Sequence, residues 1–295
     1  MPYFSTRDGV RIYYEETGSG TPVVFVHELA NDLRSWEPQM RFFGRRYRCI
    51  AYNARGFPPS DVPRARSKYS PAIATDDVAD LVRSLKVGKA HVVGSAMGSY
   101  TTLMTGLRHP RIALSLTAIN VGIGSDGGNK RAQFLHDIET QARRYETLAI
   151  ADAIRDHRVG PSRIPFKNKD LRGFAEFGRR QAEVSPLGSA NTFRGVLAKR
   201  LSVYSLEQRL RRLRVPLLLV NGDEDDKCLD PGVFIKRVCP SAALAVVPWS
   251  GHVINLEEPD YFNRLLLDFL TLVDSGRWRP RDPRSAKLSV LANRG

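Results

Sequence analysis

The stretch with the clearest capacity for chemistry is Gly94-Ser95-Ala96-Met97-Gly98. Ala90-His91-Val92-Val93 before it suits a buried strand, and Tyr100 to His109 after it suits a helix that stops before Pro110. A strand running through a glycine-bracketed turn into a helix has the geometry of a nucleophile elbow, which holds its central residue out at the end of a sheet. The glycines belong where side chains would clash, because the central residue sits in a strained backbone conformation. That central residue is Ala96, and a methyl group attacks nothing. Ser95 precedes the apex and is expected to point away from it.

The elements that must position this turn are readable on either side. Phe4 to Thr17 has two extended pieces around Asp8-Gly9, a hairpin signal. Pro22 to Glu28 and Arg48 to Asn53 read as strands, the first a continuous apolar run buried on both faces of a parallel sheet. Ser35 is expected to cap a helix carrying Trp36, Met40 and Phe43 inward, and Ser70 a second one, with Pro71 in its first turn and Ile73, Val78, Leu81, Val82 and Leu85 on one face. Ile112 to Asn120 is a further strand. From Val121 to Arg214 the rhythm breaks into helical stretches with no strand signal. Pro216 to Gly222 restores the strand pattern, followed by a short helix from Pro231 to Cys239, a strand from Ala243 to Trp249 and an amphipathic helix from Glu258 to Asp274. Strand–helix alternation interrupted by a helical block predicts a doubly wound, mostly parallel α/β core with an inserted cap. The expected division is core at 1–120 and 215–276, helical cap at 121–214, and a loosely held basic tail at 277–295.

Composition narrows the function classes. At 295 residues with 42% hydrophobic and 26% charged content, the chain is an ordinary globular sequence with no apolar run of membrane-spanning length. A net charge of +14 raises the question of nucleic acid, but the arginines are dispersed among acids and no nucleic-acid module is visible. The basic field suits attraction of anionic small molecules instead. The N-terminus lacks the pattern of a signal peptide, and Cys49, Cys228 and Cys239 are an odd set without metal-ligand spacing, read as reduced thiols of a cytoplasmic protein. No membrane partner is expected, and the oligomeric state is open between monomer and homodimer. His91, His109, His136 and His157 are read as structural or surface residues, since no metal-like cluster forms.

Five motifs recur in order, each after an expected strand: His27-Glu28-Leu29, Asn53-Ala54-Arg55-Gly56, Gly94 to Gly98, Gly222-Asp223-Glu224-Asp225 and Ser250-Gly251-His252. In this order the chain resembles the α/β-hydrolase fold family over nearly its whole length. The resemblance implies a capped serine hydrolase in which nucleophile, acid and base follow in chain order. Carried over, Ala96 occupies the nucleophile position, Asp225 the acid position, with Asp223 and Asp226 as neighbours competing for it, and His252 is the general base. A serine hydroxyl needs a neutral imidazole to take its proton, and the imidazole needs a carboxylate to fix its tautomer. The oxyanion hole is expected from the backbone N–H groups of Met97 and Leu29, with Glu28 the rival second donor. Glu28 stands where many relatives have glycine. It is expected to turn away, to be paired, or to orient water or a substrate hydroxyl, and Glu28 and Trp249 are the candidate substrate contacts.

Ala96 admits several readings: an active serine replaced by alanine, a natural non-catalytic binder, or, with less to support it, a displaced Ser95 nucleophile or a removed aspartate. Restoring serine would give Gly-Ser-Ser-Met-Gly, an ordinary serine-hydrolase elbow. The expected function is hydrolysis of a small carboxylic ester or lactone through an acyl-enzyme, with no metal or organic cofactor, the chain as written being inactive or nearly so. The alternatives are carbon–carbon bond hydrolysis of a diketone-like substrate and a non-catalytic ligand-binding homologue. Between Asn120 and Arg214, 19 Lys and Arg stand against 10 Asp and Glu, and Phe134, Tyr145, Phe166, Phe174, Phe177, Phe193 and Tyr204 add aromatic surface. A basic, aromatic cap suits a modest-sized ester that carries a carboxylate of its own.

Overall fold

The apolar runs form the strands that the sequence marks. The computed structural model describes residues 2–29 and 31–286. It contains β1 (Tyr3–Ser5), β2 (Arg11–Thr17), β3 (Pro22–Val26), β4 (Arg48–Tyr52), β5 (Ala90–Ser95), β6 (Ala113–Ile119), β7 (Leu217–Gly222) and β8 (Ala242–Val247) in one sheet of order β1-β2-β4-β3-β5-β6-β7-β8. The β1–β2 and β2–β4 pairs are antiparallel and every other pair is parallel. The sheet places β5, which carries the elbow, between β3 and β6.

Alternation along β3 shows how two cores arise from one run. Val24 and Val26 face a cluster with Val78, Leu81 and Val82 of α2 (Pro71–Ser84) and Leu103 of α3 (Met97–Arg108). Val23 and Phe25 face the other side, where Phe43 of α1 (Glu37–Phe43) and Phe262, Leu266 and Phe269 near the C-terminus pack. Ser70 accepts from the Ile73 N–H and caps α2 as its position predicts.

Among the described residues the regular elements between β6 and β7 are all helical: α4 (Gly128–Thr147), α5 (Ile150–Arg158), α6 (Ile164–Lys169), α7 (Leu171–Gln181), α8 (Pro186–Thr192), which continues into a π-helical stretch (Phe193–Leu197), and α9 (Glu207–Arg212), with short 3-10 turns between them. Tyr145 and Phe193 of this insertion share a cluster with Leu29, Phe57 and Met97, so it packs over the elbow and the loop after β3. Phe166, Phe174 and Phe177 pack with Val253 beside the histidine loop. Then follow α10 (Asp226–Val238), α11 (Ile254–Glu257) and α12 (Pro259–Asp274).

Three local expectations are corrected. Asp32, not Ser35, provides the cap: its carboxylate accepts the Arg34 N–H and starts a short 3-10 turn that contains Ser35, whose hydroxyl donates back to the Asp32 carbonyl. The helix expected at Pro231 begins at Asp226 and carries Pro231 inside it, because the Cys228 N–H donates to the Asp225 carbonyl and turns the chain directly after β7. The last strand stops at Val247, leaving Trp249 outside the sheet. Of the segment expected as a loose tail, Trp278 is tied down: it packs edge-on to Phe269 at 4.8 Å and its indole donates to the Ser241 carbonyl at 3.3 Å. The expectation for 287–295 lies outside the described residues. All three cysteines are unpaired and buried.

Candidate active site

Gly94 and Gly98 are needed by contact. A Cβ on Gly94 would stand 2.2 Å from the Gly98 carbonyl oxygen, and one on Gly98 would stand 2.1 Å from the Val26 carbonyl oxygen. Absence of both side chains lets β5, the start of α3 and β3 close on one another. Ala96 between them has φ +51° and ψ −107°, a conformation that L-residues rarely adopt, and it is buried. Its N–H donates to the Ile119 carbonyl at 3.0 Å, which ties the apex to the end of β6. Ser95 is the last residue of β5, buried beneath the apex.

The next residue, Asn120, carries the geometry onward. Held at φ +51°, it accepts the Gly222 N–H on its amide oxygen at 3.0 Å and donates from its amide nitrogen to the Gly251 carbonyl at 2.9 Å. One side chain thereby joins the end of β6 to the acid loop and the histidine loop. Those loops bring His252 Nδ1 to 2.6 Å from Asp225 Oδ2, with both side chains buried. Burial alone would raise the Asp225 carboxyl, but the charge and hydrogen bond of His252, with help from Cys228 and Arg163, hold it below the usual carboxylate range. An ionised Asp225 fixes the proton on Nδ1 and leaves Nε2 free as a base. Asp223 does not compete for this role, since it accepts the Ser250 N–H, and Asp226 is the first residue of α10.

His27 serves the loop after β3. Its Nε2 accepts the Ala54 N–H at 2.9 Å, so Nδ1 carries the proton and donates to the Glu28 carbonyl at 2.6 Å. Burial lowers its pKa and keeps it neutral. Leu29 and Met97 belong to one hydrophobic cluster beneath the insertion, and among the described residues neither N–H has a backbone acceptor. Glu28 is buried and paired: its carboxylate accepts from Arg163 Nη2 at 2.6 Å, both side chains being under a tenth exposed. Trp249 is 77% exposed at φ +59°, and the structure does not bring it to the triad positions.

Several residues that sequence reasoning passed over shape the site. Arg163 also lies over the Phe177 ring at 5.5 Å. The neighbouring Ser162 carbonyl accepts the His252 N–H at 2.9 Å. Glu257 accepts from the N–H groups of Gly251 and Val253, bracketing His252. His157, expected as structural or surface, is half-buried with its Nδ1 enclosed, and desolvation together with the charges of Arg163 and His252 holds its pKa well below the ordinary value. Asn120 alone had a usable signal, a polar residue ending an apolar strand. The others come from the insertion or a surface-like helix start, where spacing says nothing.

Asp225, Cys228 and His252 offer ligand atoms within 4.8 Å of one another. A metal there would have to break the Asp225–His252 hydrogen bond and take a thiolate that burial and the Asp225 charge strongly disfavour. The arrangement fits an acid–base pair better than a metal centre.

Residues 21–259 match the alpha/beta hydrolase fold family. The chain belongs to that family. The 3-oxoadipate enol-lactonase 1 of Acinetobacter baylyi is 26% identical over 254 residues, covering 84% of this chain and 88% of the relative. The non-heme chloroperoxidase of Kitasatospora aureofaciens is 29% identical over 290 residues, covering 92% and 99%. Among solved structures, the enol-lactonase of Burkholderia xenovorans superposes with a TM-score of 0.78 at 21% identity, covering 92% of this chain and all of that one. At this coarse level the family and the enol-lactonase relative of Acinetobacter baylyi support a hydrolase role. Among the described residues no helix is long and apolar enough to cross a membrane.

Proposed function

We propose that this chain is a serine-type hydrolase of a small carboxylic ester or lactone, with alanine at the nucleophile position and therefore inactive or nearly so as written. The observation that carries this reading is the pairing of a strained apex at Ala96 with a complete Asp225–His252 acid–base pair. A left-handed non-glycine apex costs about 1–3 kcal/mol, which a chain keeps where the turn presents a side chain for reaction. In the active form a serine hydroxyl at position 96 attacks the ester carbonyl and His252 Nε2 takes its proton. The Leu29 and Met97 N–H groups bind the oxyanion, and His252 then returns the proton to the leaving oxygen. Water deacylates the enzyme by the same route. The helical insertion serves as the cap. Two relatives are named as enol-lactonases, which favours the ester or lactone class, and the excess of basic residues in the insertion favours a substrate with its own carboxylate.

The test is Ala96→Ser assayed on aryl esters, lactones and diketones, with His252→Ala in the same background as control. Ester turnover that the control abolishes supports the reading. Release of a ketone acid from a diketone would move the reaction to carbon–carbon cleavage. A folded variant inert on every class would make the chain a ligand-binding homologue.

A further inference from the structure

Arg200 follows α8 and its π-helical extension at the end of the insertion, and it is 5% exposed. Among the described residues its guanidinium has neither an ion-pair partner nor a hydrogen-bond acceptor, and Nη2 is fully enclosed without one. It lies instead over the Tyr100 ring at 5.4 Å and the Phe134 ring at 5.9 Å. A second guanidinium, that of Arg131, stands 5.2 Å from the same Phe134 ring. Its hydrogen bonds go only to carbonyls, those of Gly124, Ala198 and Arg200. Carbonyl dipoles and ring faces orient a guanidinium but do not cancel its charge. Neither Asp126 on the adjoining loop nor Asp230 on α10 makes an ion pair or hydrogen bond with either arginine among the described residues.

Two cations on one phenyl ring without a carboxylate contrast with the rest of the molecule, where buried arginines are paired: Arg55 with Asp77 and Asp8, Arg163 with Glu28. A buried charge without a partner is strongly unfavourable. Burial pulls Arg200 down to about 10, with Arg131 acting in the same direction against Tyr100 and Cys228, so the side chain remains protonated at neutral pH. An arginine fork whose donors lack an acceptor is matched to planar or tetrahedral oxyanions.

We propose that Arg200 and Arg131 form a binding site for an oxyanion, a carboxylate or a phosphate, at the junction of the insertion and the core. Arg200 supplies donors that have no acceptor within the protein, Tyr100 and Phe134 hold its plane, and Arg131 fixes the loop after β6 while adding its charge. That loop also begins with Asn120, which joins the acid and histidine loops, so the anion reaches the hydrolytic centre through a single connection. The site does not depend on the hydrolytic reading: it binds in the chain as it stands, with alanine at position 96.

The experiment is thermal unfolding of the full chain and of Arg200→Met, titrated with inorganic phosphate and with succinate at constant ionic strength. The expected result has two parts. Without added oxyanion, Arg200→Met is as stable as the parent or more so, because an unpartnered charge has been removed. With oxyanion the parent gains a saturable rise in Tm that the variant lacks, and calorimetry shows affinity weakened about tenfold or more by the substitution. Arg200→Lys, which keeps the charge but loses the fork, falls between them and guards against a packing effect of methionine. Response to succinate alone identifies an organic carboxylate, and equal response to phosphate identifies a site for free oxyanions. No saturable shift in the parent, or one that persists in Arg200→Met, overturns the proposal, and neither bears on whether Ala96→Ser hydrolyses esters.

Discussion

His252 Nδ1 and Asp225 Oδ2 are 2.6 Å apart with both side chains buried, while the proposed nucleophile position is Ala96. In the proposed triad the carboxylate holds the imidazole tautomer, so its removal should be felt only once a nucleophile is present. In an Ala96→Ser background, Asp225→Asn is expected to lower kcat about 10⁴-fold, the size of effect seen when the acid of a serine protease triad is made neutral. KM for the same ester should change little. Steady-state kinetics checks this, and a loss under tenfold would remove Asp225 from the mechanism.

Glu28 and Arg163 make the buried ion pair that joins the loop after β3 to the insertion. Removing one partner leaves the other charged in a place that excludes water, which costs about 3–5 kcal/mol. Arg163→Met and Glu28→Gln should each destabilise by that order, whereas the two together should recover most of the loss. Urea unfolding of the four proteins measures the coupling. Additive losses would mean that the pair is solvated in solution.

The sheet was legible in the sequence because each strand is a short apolar run ending in punctuation: Pro22 to Glu28 and Pro216 to Gly222 need no knowledge of their partners. The elbow was legible because two glycines bracket a single residue. What stayed hidden depends on distance in the chain. Nothing local marks Arg163 as the partner of a residue 135 positions away, or Ser162 as the acceptor for His252. Pro231 misplaced the start of α10, since proline usually opens a helix and here lies inside one that Asp225 begins. Trp249 drew interest by its type, and the turn after β8 leaves it in solvent.

Asp274, at the end of α12, accepts from the ring of His91 at 2.9 Å and from the Tyr47 hydroxyl at 3.1 Å, fastening the last helix to β5. The hydrogen bond from His91 holds its pKa below the ordinary carboxylate value, outweighing partial burial. A depressed native pKa contributes stability that is present above the unfolded value near 3.9 and is lost as pH falls through the native one. Asp274→Asn should therefore destabilise by about 1 kcal/mol or less at neutral pH, given its partial exposure. The gap to the parent should close as the pH drops below about 4. A gap that instead widens in acid would show that Asp274 carries no native charge.

Gly98 and Gly88 offer a paired test of why the elbow is built from glycine. At Gly98 a methyl group would lie 2.1 Å from the Val26 carbonyl oxygen, a backbone atom that no side-chain rotation can move. The added atom must push β3 away from the start of α3 or unseat the elbow, and the sheet is close-packed on both sides of it. Gly88 lies before β5 with open space around it, and its only demand is a φ of +71°. Gly88→Ala should thus cost about 1–2 kcal/mol from backbone strain alone. Gly98→Ala should cost about 4 kcal/mol or more and, in the Ala96→Ser background, should remove ester turnover from whatever fraction folds. Equal midpoints for the two variants in chemical denaturation would mean that the elbow tolerates a side chain there, and that close approach to β3 is not what the glycine provides.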